Sequence, residues 1–281
     1  MGAKRAWQRG AIRVVAWTTG SFWLFLFFGL VDLSVPLFFQ ARPEFYEGYL
    51  METGWGVLFT FFAGLPMCIL GARPRWISAA LVTAASGVAV LIAAVASAQP
   101  VPLLIVAGLL LPAAAVWMLD RVARASEREE ALSGPIVASG ALRARLPMLG
   151  LALVALPPAV AYASEMIRLA LLAEPEPSYT YVFDHYPIQA ASVLVIPLAT
   201  ALLALRLPGW RPMTLVVASG TAWFGVVSIV HPDHLGSWGA AWGWTGAAWA
   251  VALSSLALSR GHGGRIAEPD AAVPRNIGTT G

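Results

Sequence analysis

Three ionisable residues lie within long apolar stretches of the chain, where a charged side chain is costly. Asp32 and Glu165 are 133 residues apart, and each stands near the end of its stretch. Arg168 follows Glu165 by three residues, so the two can form an ion pair on one helix face. Because a charge inside a membrane span is by default a functional hypothesis, we predict that Asp32, Glu165 and Arg168 contact a bound ion or small molecule.

A less specific interpretation of the two acids also follows from their position. About 28 Å of helix, at about 1.5 Å per residue, precedes each of them, which is close to the thickness of the hydrocarbon core. Asp32 and Glu165 would then lie at the outer boundary of the membrane and reach water. Both interpretations place the acids at the same side of the membrane.

A second group of candidate residues combines imidazoles and carboxylates. The run His231-Pro-Asp-His234 ends one apolar stretch, and Asp184-His185 precedes another. Such side chains bind zinc or copper. The candidate metal ligands of an outer-face membrane enzyme are therefore His231, Asp233, His234, Asp184 and His185. The alternative is a helix-ending turn in which Asp233 or Ser237 caps the next helix; apart from a divalent metal, no cofactor is predicted.

The composition sets the class of protein that must position these residues. Hydrophobic residues make up 58% of the 281 residues and charged residues only 12%, whereas about 25% of a soluble domain is charged. The apolar run after Arg13 is too long for a cleaved signal peptide and indicates a membrane anchor. The single cysteine, Cys68, excludes an internal disulfide and a cysteine-based metal site.

We predict an all-α polytopic membrane protein with eight transmembrane helices. In hydrocarbon each spanning segment must satisfy its own backbone hydrogen bonds, so the apolar segments are helices. The segments are 14–39, 55–72, 76–98, 101–119, 146–172, 187–205, 212–231 and 237–259. Residues 1–13 precede them, 120–145 form a charged connector that extends helix 4 into water, and 260–281 are predicted to be a disordered tail.

The distribution of basic residues predicts the orientation. Sixteen of the 18 Lys and Arg residues fall on one side, with only Arg42 and Arg168 on the other. By the positive-inside rule both termini are cytoplasmic, and the protein lies in the cytoplasmic (plasma) membrane. This asymmetry explains the basic pI without a nucleic-acid partner. The predicted partners are the lipid bilayer and either a partner membrane protein or a second copy of the chain. A composition rich in Ala, Gly, Arg and Pro suggests a bacterial source.

Short similar sequence segments that recur at a constant offset along the chain indicate an internal duplication. Asp32 and Glu165 share their 133-residue offset with Ala85-Ser86-Gly87 and Ala218-Ser219-Gly220, and Pro66 and Pro197 are 131 apart. The halves are 14–119 and 146–259. Because each contains an even number of spans, both enter the membrane in the same direction, and an axis along the membrane normal relates them, as in parallel-repeat transporters.

The last predicted helix carries two stripes of small or aromatic residues. Gly236, Gly239, Gly243 and Gly246 form one face, which suits close helix packing in lipid. Trp238, Trp242 and Trp249 form another stripe. Aromatic stripes can line a ligand pocket, but we predict packing and interfacial anchoring for both.

The eight-helix, two-by-four layout is similar to that of haem A synthase. That family ligates haem through histidines in both halves, whereas the first half of this chain contains no histidine, so haem binding is not expected. No phosphate loop, zinc-protease motif or nucleophile elbow is present. We therefore predict a non-enzymatic protein that binds or transports a small molecule or ion at an outward-facing cavity between the halves. The alternatives are the outer-face metal enzyme and a non-catalytic accessory or scaffold subunit.

Overall fold

A computed structural model describes residues 2–38, 49–128, 141–172 and 185–259, and every regular element in this part of the chain is helical. The α-helices are α1 (Gly2–Ser21), α2 (Gly29–Phe38), α3 (Tyr49–Val57), α4 (Leu65–Ala72), α5 (Ser78–Ala96), α6 (Pro102–Arg128), α7 (Ala141–Leu171), α8 (His185–Leu203), α9 (Trp210–Val230) and α10 (Gly239–Leu258). Two π-helical segments, π1 (Phe22–Leu26) and π2 (Leu58–Gly64), interrupt the first and second spans.

Among the residues that the structure describes, seven helical stretches are long and apolar enough to cross a membrane, which indicates an integral, multi-pass membrane protein. They are Ala6–Val35, Met51–Ala72, Ser78–Ala96, Pro102–Val122, Arg145–Leu171, His185–Leu203 and Trp210–Val230. The eighth predicted span corresponds to α10, which has 20 residues and no charged side chain. Its hydropathy is lower than that of the other spans because glycine, serine, threonine and tryptophan replace larger aliphatic residues.

Several predicted boundaries differ from the structure. Residues 49–54 and 185–186, expected in loops, belong to the first turns of α3 and α8. A helix start tolerates Glu52 and Pro187, because the first turn favours acidic groups and needs no donor from proline. The predicted extension of the fourth helix into the connector is confirmed as far as Arg128. The outer segments 39–48 and 173–184, the rest of the connector at 129–140 and the tail 260–281 lie outside the described residues.

The first two spans pack against each other; the first is a broken helix, and the second is continuous but contains π2. Between π1 and α2 the chain leaves the helical path at Phe27 and Phe28, and Phe28 has a φ of 61°. π1 contacts π2, where Trp23 stacks on Phe59 with centroids 4.8 Å apart, and beside them Phe27, which follows π1, stacks on Trp55 of α3 at 5.2 Å. Irregular backbone of this kind is tolerated in a membrane where protein buries it, and π segments are frequent at functional sites.

Neighbouring spans pair along the chain, and the central contact between the halves is that of α5 with α8. α5 also packs on α6, α7 on α8 and α9 on α10. Close glycine contacts confirm the packing role predicted for part of the α10 face, because a Cβ on Gly243 would lie 2.7 Å from the carbonyl oxygen of Gly225 on α9.

The halves also meet at the end where α4 and α8 finish. A Cβ on Gly209 would lie 2.5 Å from the Cβ of Trp76, so the two residues touch. Ser78 Oγ donates a hydrogen bond to the carbonyl oxygen of Leu207 at 2.9 Å. We call the opposite end, where α3 and α8 begin and α2, α7 and α9 finish, the carboxylate end; it is the side predicted to be outer.

Candidate functional site

Three ionisable side chains from three different spans interact at the carboxylate end. His185 Nε2 on α8 lies 3.7 Å from Glu52 Oε2 on α3. Asp32, on α2, interacts electrostatically with both of them. His185 is only 2% exposed and Glu52 13%. The group therefore joins the first half, which supplies both carboxylates, to the second half, which supplies the imidazole.

Close packing fixes the position of this group. α2 and α3 touch through their backbones at Gly56, where a Cβ would lie 2.2 Å from the amide nitrogen of Leu33 and 2.7 Å from the carbonyl carbon of Asp32. The Trp55 ring lies against the imidazole of His185 with centroids 4.9 Å apart. Any side chain larger than hydrogen at position 56 would clash with the backbone of Asp32 and Leu33.

The break in the first span lies immediately before Asp32. Trp55 Nε1 donates to the carbonyl oxygen of Phe27 at 3.3 Å, and the amide of Asp32 donates to Phe28. Thr60 on π2 faces the same place, since a Cβ on Gly29 would lie 3.1 Å from its Oγ1. That hydroxyl is buried and has no hydrogen-bond partner among the described residues. Buried polar groups normally have one, so this part of the site carries an unused polar atom.

Glu165 and Arg168 form the predicted ion pair, with Arg168 Nη2 2.6 Å from Glu165 Oε1. Arg168 Nε also donates to Glu165 Oε2 at 2.8 Å. Both side chains are about half exposed on α7 (55% for Arg168 and 49% for Glu165). The structure thus brings Glu165 and Arg168 together, but groups Asp32 with Glu52 and His185 instead of with Glu165.

The predicted metal ligands fall into separate places. The rings of His231 and His234 are 5.0 Å apart in an edge-on arrangement, and Asp233 is exposed. His185 lies against Glu52 and Trp55, while Asp184 is outside the described residues. Within the described residues, no three His, Cys, Asp or Glu side chains form a group that could hold a metal ion. The N-cap residue of α10 is Trp238 and not Ser237, but Ser237 Oγ accepts a hydrogen bond from the amide of Gly239, the first residue of that helix, at 2.9 Å.

His231 lies at the end of α9, outside the spanning segments. Burial disfavours the charged imidazolium and lowers the pKa of His231 below its ordinary value of 6.5, and the neighbouring His234 lowers this pKa further. An imidazole that is 7% exposed thus has a reduced tendency to accept a proton.

A hydrogen-bonded cluster lies between α7, α8 and the turn before α10. Gln189 Nε2 donates to Tyr162 Oη at 2.8 Å and to the carbonyl oxygen of Gly236 at 3.1 Å, and Tyr162 Oη also donates to that carbonyl. Gln189 is fully buried, and its Oε1 has no hydrogen-bond partner among the described residues. It lies against Gly54 of α3, where a Cβ would overlap it.

A cavity of about 570 Å³ lies among α7, α8, α9 and α10. The cavity is inside the second half, whereas the predicted cavity is between the halves. Pro157, Pro158 and Pro197 line the observed cavity, and prolines in helix interiors bend helices. Trp238, Trp242 and Trp249 form part of its wall. Packing and interfacial anchoring are predicted for these tryptophans, and they also line a cavity.

Sequence reasoning missed Glu52 because it assigned residues 40–54 to a loop. One signal was present: Glu52 and His185 are 133 residues apart, the same offset as Asp32 and Glu165. Residues at equivalent positions of two repeats meet only near the axis that relates them. The offset therefore could have indicated Glu52 as the partner of His185.

Comparison with known proteins gives no further guide to the activity. No protein-family model matches the chain, and neither do any curated protein sequences or solved structures.

Proposed function

We propose that this integral membrane protein binds and releases a proton at Asp32, Glu52 and His185, and that it uses this proton in the binding or transport of a small molecule or ion. The observation that carries the proposal is the contact of a buried His185 with Glu52 across the two halves, with Asp32 beside them. Intramembrane ionisable residues that pair in this way are typical of proton relays.

The charge balance of the group favours a proton. The carboxylates outnumber the imidazole, and a bound proton reduces the charge that these three side chains hold away from water. A tightly ligated divalent metal is less suitable, since no three such side chains among the described residues come close enough to hold one. The broken first span supports a functional role, because discontinuous helices form the coupling-ion sites of many transporters.

We infer further that the chain has eight spans arranged as two parallel repeats, with the site on their axis. Two contacts support this arrangement: Glu52 with His185 at the carboxylate end, and Trp76 with Gly209 at the opposite end. Each joins residues 133 positions apart. The element contacts agree, since α1 packs on α6 as α7 packs on α10. α10 would be the eighth span.

The alternatives have less support. The accessory or scaffold subunit predicts an interior without a cavity, whereas α7 to α10 enclose one. The metal enzyme requires the five predicted ligands to converge, and among the described residues His185 packs with Glu52 and Trp55 instead.

Infrared spectroscopy of the purified protein in lipid tests the proton site directly. We expect a protonated-carboxylic-acid band that disappears as the buffer is changed from acidic to alkaline, and we expect Asp32→Asn or Glu52→Gln to remove or displace it. In vesicles with an imposed membrane potential and an internal pH dye, the same variants should reduce protein-dependent proton flux about tenfold or more.

The matched control is Glu165→Gln, which removes a carboxylate at the position equivalent to Asp32 but on the exposed surface of α7. This variant should keep both the band and the flux. A band that survives in Asp32→Asn and Glu52→Gln alike, or that is lost in Glu165→Gln, would refute the assignment.

A further inference from the structure

We propose that the cavity among α7, α8, α9 and α10 binds a membrane-soluble molecule with a long hydrocarbon chain and one hydroxyl group. The cavity volume of about 570 Å³ lies within the range of small-molecule sites. None of Asp32, Glu52 and His185 lines it. The proposal is therefore independent of the proton site.

The cavity opens sideways, toward the bilayer. Val154 on α7 and Trp242 on α10 line it and are also 69% and 56% exposed on the surface of the bundle. Farther along the two helices the gap is closed by Trp249, whose Nε1 donates to the carbonyl oxygen of Leu151 at 3.0 Å. Since the opening lies on membrane-spanning helices, the occupant enters from the lipid phase, and the apolar wall suits a hydrocarbon chain.

The hydroxyl groups around the cavity already donate hydrogen bonds elsewhere. Thr221 Oγ1 donates to the carbonyl oxygen of Val217 at 3.0 Å, and Thr245 Oγ1 donates to Ala241 at 2.9 Å. Tyr162 donates to Gly236, and Ser237 donates to Ser228. The cavity is thus poor in free hydroxyl donors.

Two backbone acceptors at the cavity lack their helical donors. In an α-helix each carbonyl oxygen accepts from the amide four residues later, and proline has no amide hydrogen. Pro158 therefore leaves the Val154 carbonyl without this bond on α7, and Pro197 leaves the Val193 carbonyl without it on α8. All four residues line the cavity.

A ligand hydroxyl would supply the missing donor. Transmembrane helices usually satisfy carbonyls freed by proline through Ser or Thr side chains, water or neighbouring helices. Here the nearby Thr and Tyr hydroxyls are bonded elsewhere, and the wall is largely apolar. The arrangement consequently selects an alcohol over an otherwise identical molecule that cannot donate.

Tryptophan fluorescence provides the test, because three tryptophans form the cavity wall and bromine quenches tryptophan on contact. The full chain in phosphatidylcholine vesicles is titrated with a brominated octadecanol and, separately, with its methyl ether. We expect saturable quenching with the alcohol and about tenfold weaker binding of the ether, equivalent to one hydrogen bond.

Ala161→Phe fills the mouth of the cavity from an exposed position on α7 and should abolish the saturable component. The control, Ala107→Phe, places the same ring on an exposed position of α6. Pro158→Ala restores the amide donor to Val154 and should reduce the preference for the alcohol, whereas Pro112→Ala in α6 should not. Helix-interior proline is unfavourable, so both proline variants should fold.

Quenching that does not saturate, or that is unchanged in Ala161→Phe, shows that the cavity is not the site and overturns the proposal. Equal binding of the alcohol and the ether overturns the hydroxyl contact. If Ala161→Phe fails to fold, the alcohol preference of Pro158→Ala compared with Pro112→Ala decides the question alone.

Discussion

The two halves build the same helix pair in different ways. In the first half, Gly29 and Gly56 lie where the first span meets the second, and the backbones touch there. The positions 133 residues later are occupied by Tyr162 and Gln189, which join α7 to α8 through a side-chain hydrogen bond of 2.8 Å. The helix pair of the first half packs closely at glycines, whereas the pair of the second half is joined by the side chains of Tyr162 and Gln189.

The difference separates two kinds of chemistry. The glycine contacts of the first half bring Asp32 and Glu52 close to each other at the break in the first span, where charge is concentrated. The second half contributes His185 to that group, and otherwise carries an apolar cavity lined by tryptophans and prolines. If the halves arose by duplication, the first half retained the carboxylates Asp32 and Glu52, and the second half acquired a cavity that suits an apolar molecule.

The largest expected effect comes from replacing Gly56 of the first half with glutamine, the residue found 133 positions later at Gln189. Gly56→Gln places a Cβ 2.2 Å from the backbone of Leu33, a backbone clash that repacking of side chains cannot relieve. We expect a loss of about 4 kcal/mol or more in unfolding free energy, or no folded protein. Unfolding by SDS in mixed micelles measures it. Gly150→Gln is the control, since nothing lies within 4 Å of its Cβ; equal losses would contradict the tight contact.

The second effect concerns the contact that joins the halves. In a double-mutant cycle with Glu52→Gln and His185→Gln, we expect a coupling energy of about 2 kcal/mol, because the pair is largely removed from water and each single change removes this ion-pair contact. Unfolding in micelles again supplies the four free energies. Additive losses would show that Glu52 and His185 do not stabilise each other.

A smaller effect is expected from removing the hydroxyl of Tyr162, the residue 133 positions after Gly29. Tyr162→Phe removes the acceptor for Gln189 Nε2 and the donor to Gly236 but keeps the ring. The expected cost is about 1 kcal/mol, since Gln189 keeps its bond to Gly236. Tyr186→Phe, in the first turn of α8, provides a comparison at the same end. A change in Tyr162→Phe above about 3 kcal/mol would mean that the hydroxyl supports more than this cluster.

The smallest effect is the contribution of His231, in the second half, to the pH dependence of stability. The turn after α9 carries His231 and His234, whereas the corresponding turn after α5 contains Ser97, Ala98 and Gln99. Because the pKa of His231 is lowered on folding, the unfolded chain binds the proton more readily, and stability falls as the pH drops below 6.5. Thermal unfolding of His231→Gln should lack part of this slope; an identical slope would assign it to other groups.

The sequence was sufficient for the features that depend on local composition. Apolar segments predict the spans, the spacing of Glu165 and Arg168 predicts their ion pair, and the charges after Asp120 predict the extension of α6. Each of these depends on neighbours within one helix. The role of Asp32 remains a prediction, now with different partners.

The remaining features depend on tertiary packing. Glu52 joins the site only because α3 begins at Tyr49 and packs near α8. The π segments lie where Trp23, Phe27, Trp55 and Phe59 contact one another across two spans, and no local pattern distinguishes those residues from an ordinary apolar helix. The cavity depends on which proline-bearing faces of α7 and α8 turn toward α10.

The contact between Glu52 and His185 has a consequence for the history of the chain. If the halves arose by duplication, the ancestor of one half would have paired with itself as a symmetric dimer, and a symmetric dimer presents the same residue from both subunits at its axis. An acid facing an acid, or an imidazole facing an imidazole, was therefore the only arrangement open to such an ancestor. Glutamate opposite histidine requires two different sequences at the axis, so this unequal pair would be an innovation that became available only after the two halves diverged.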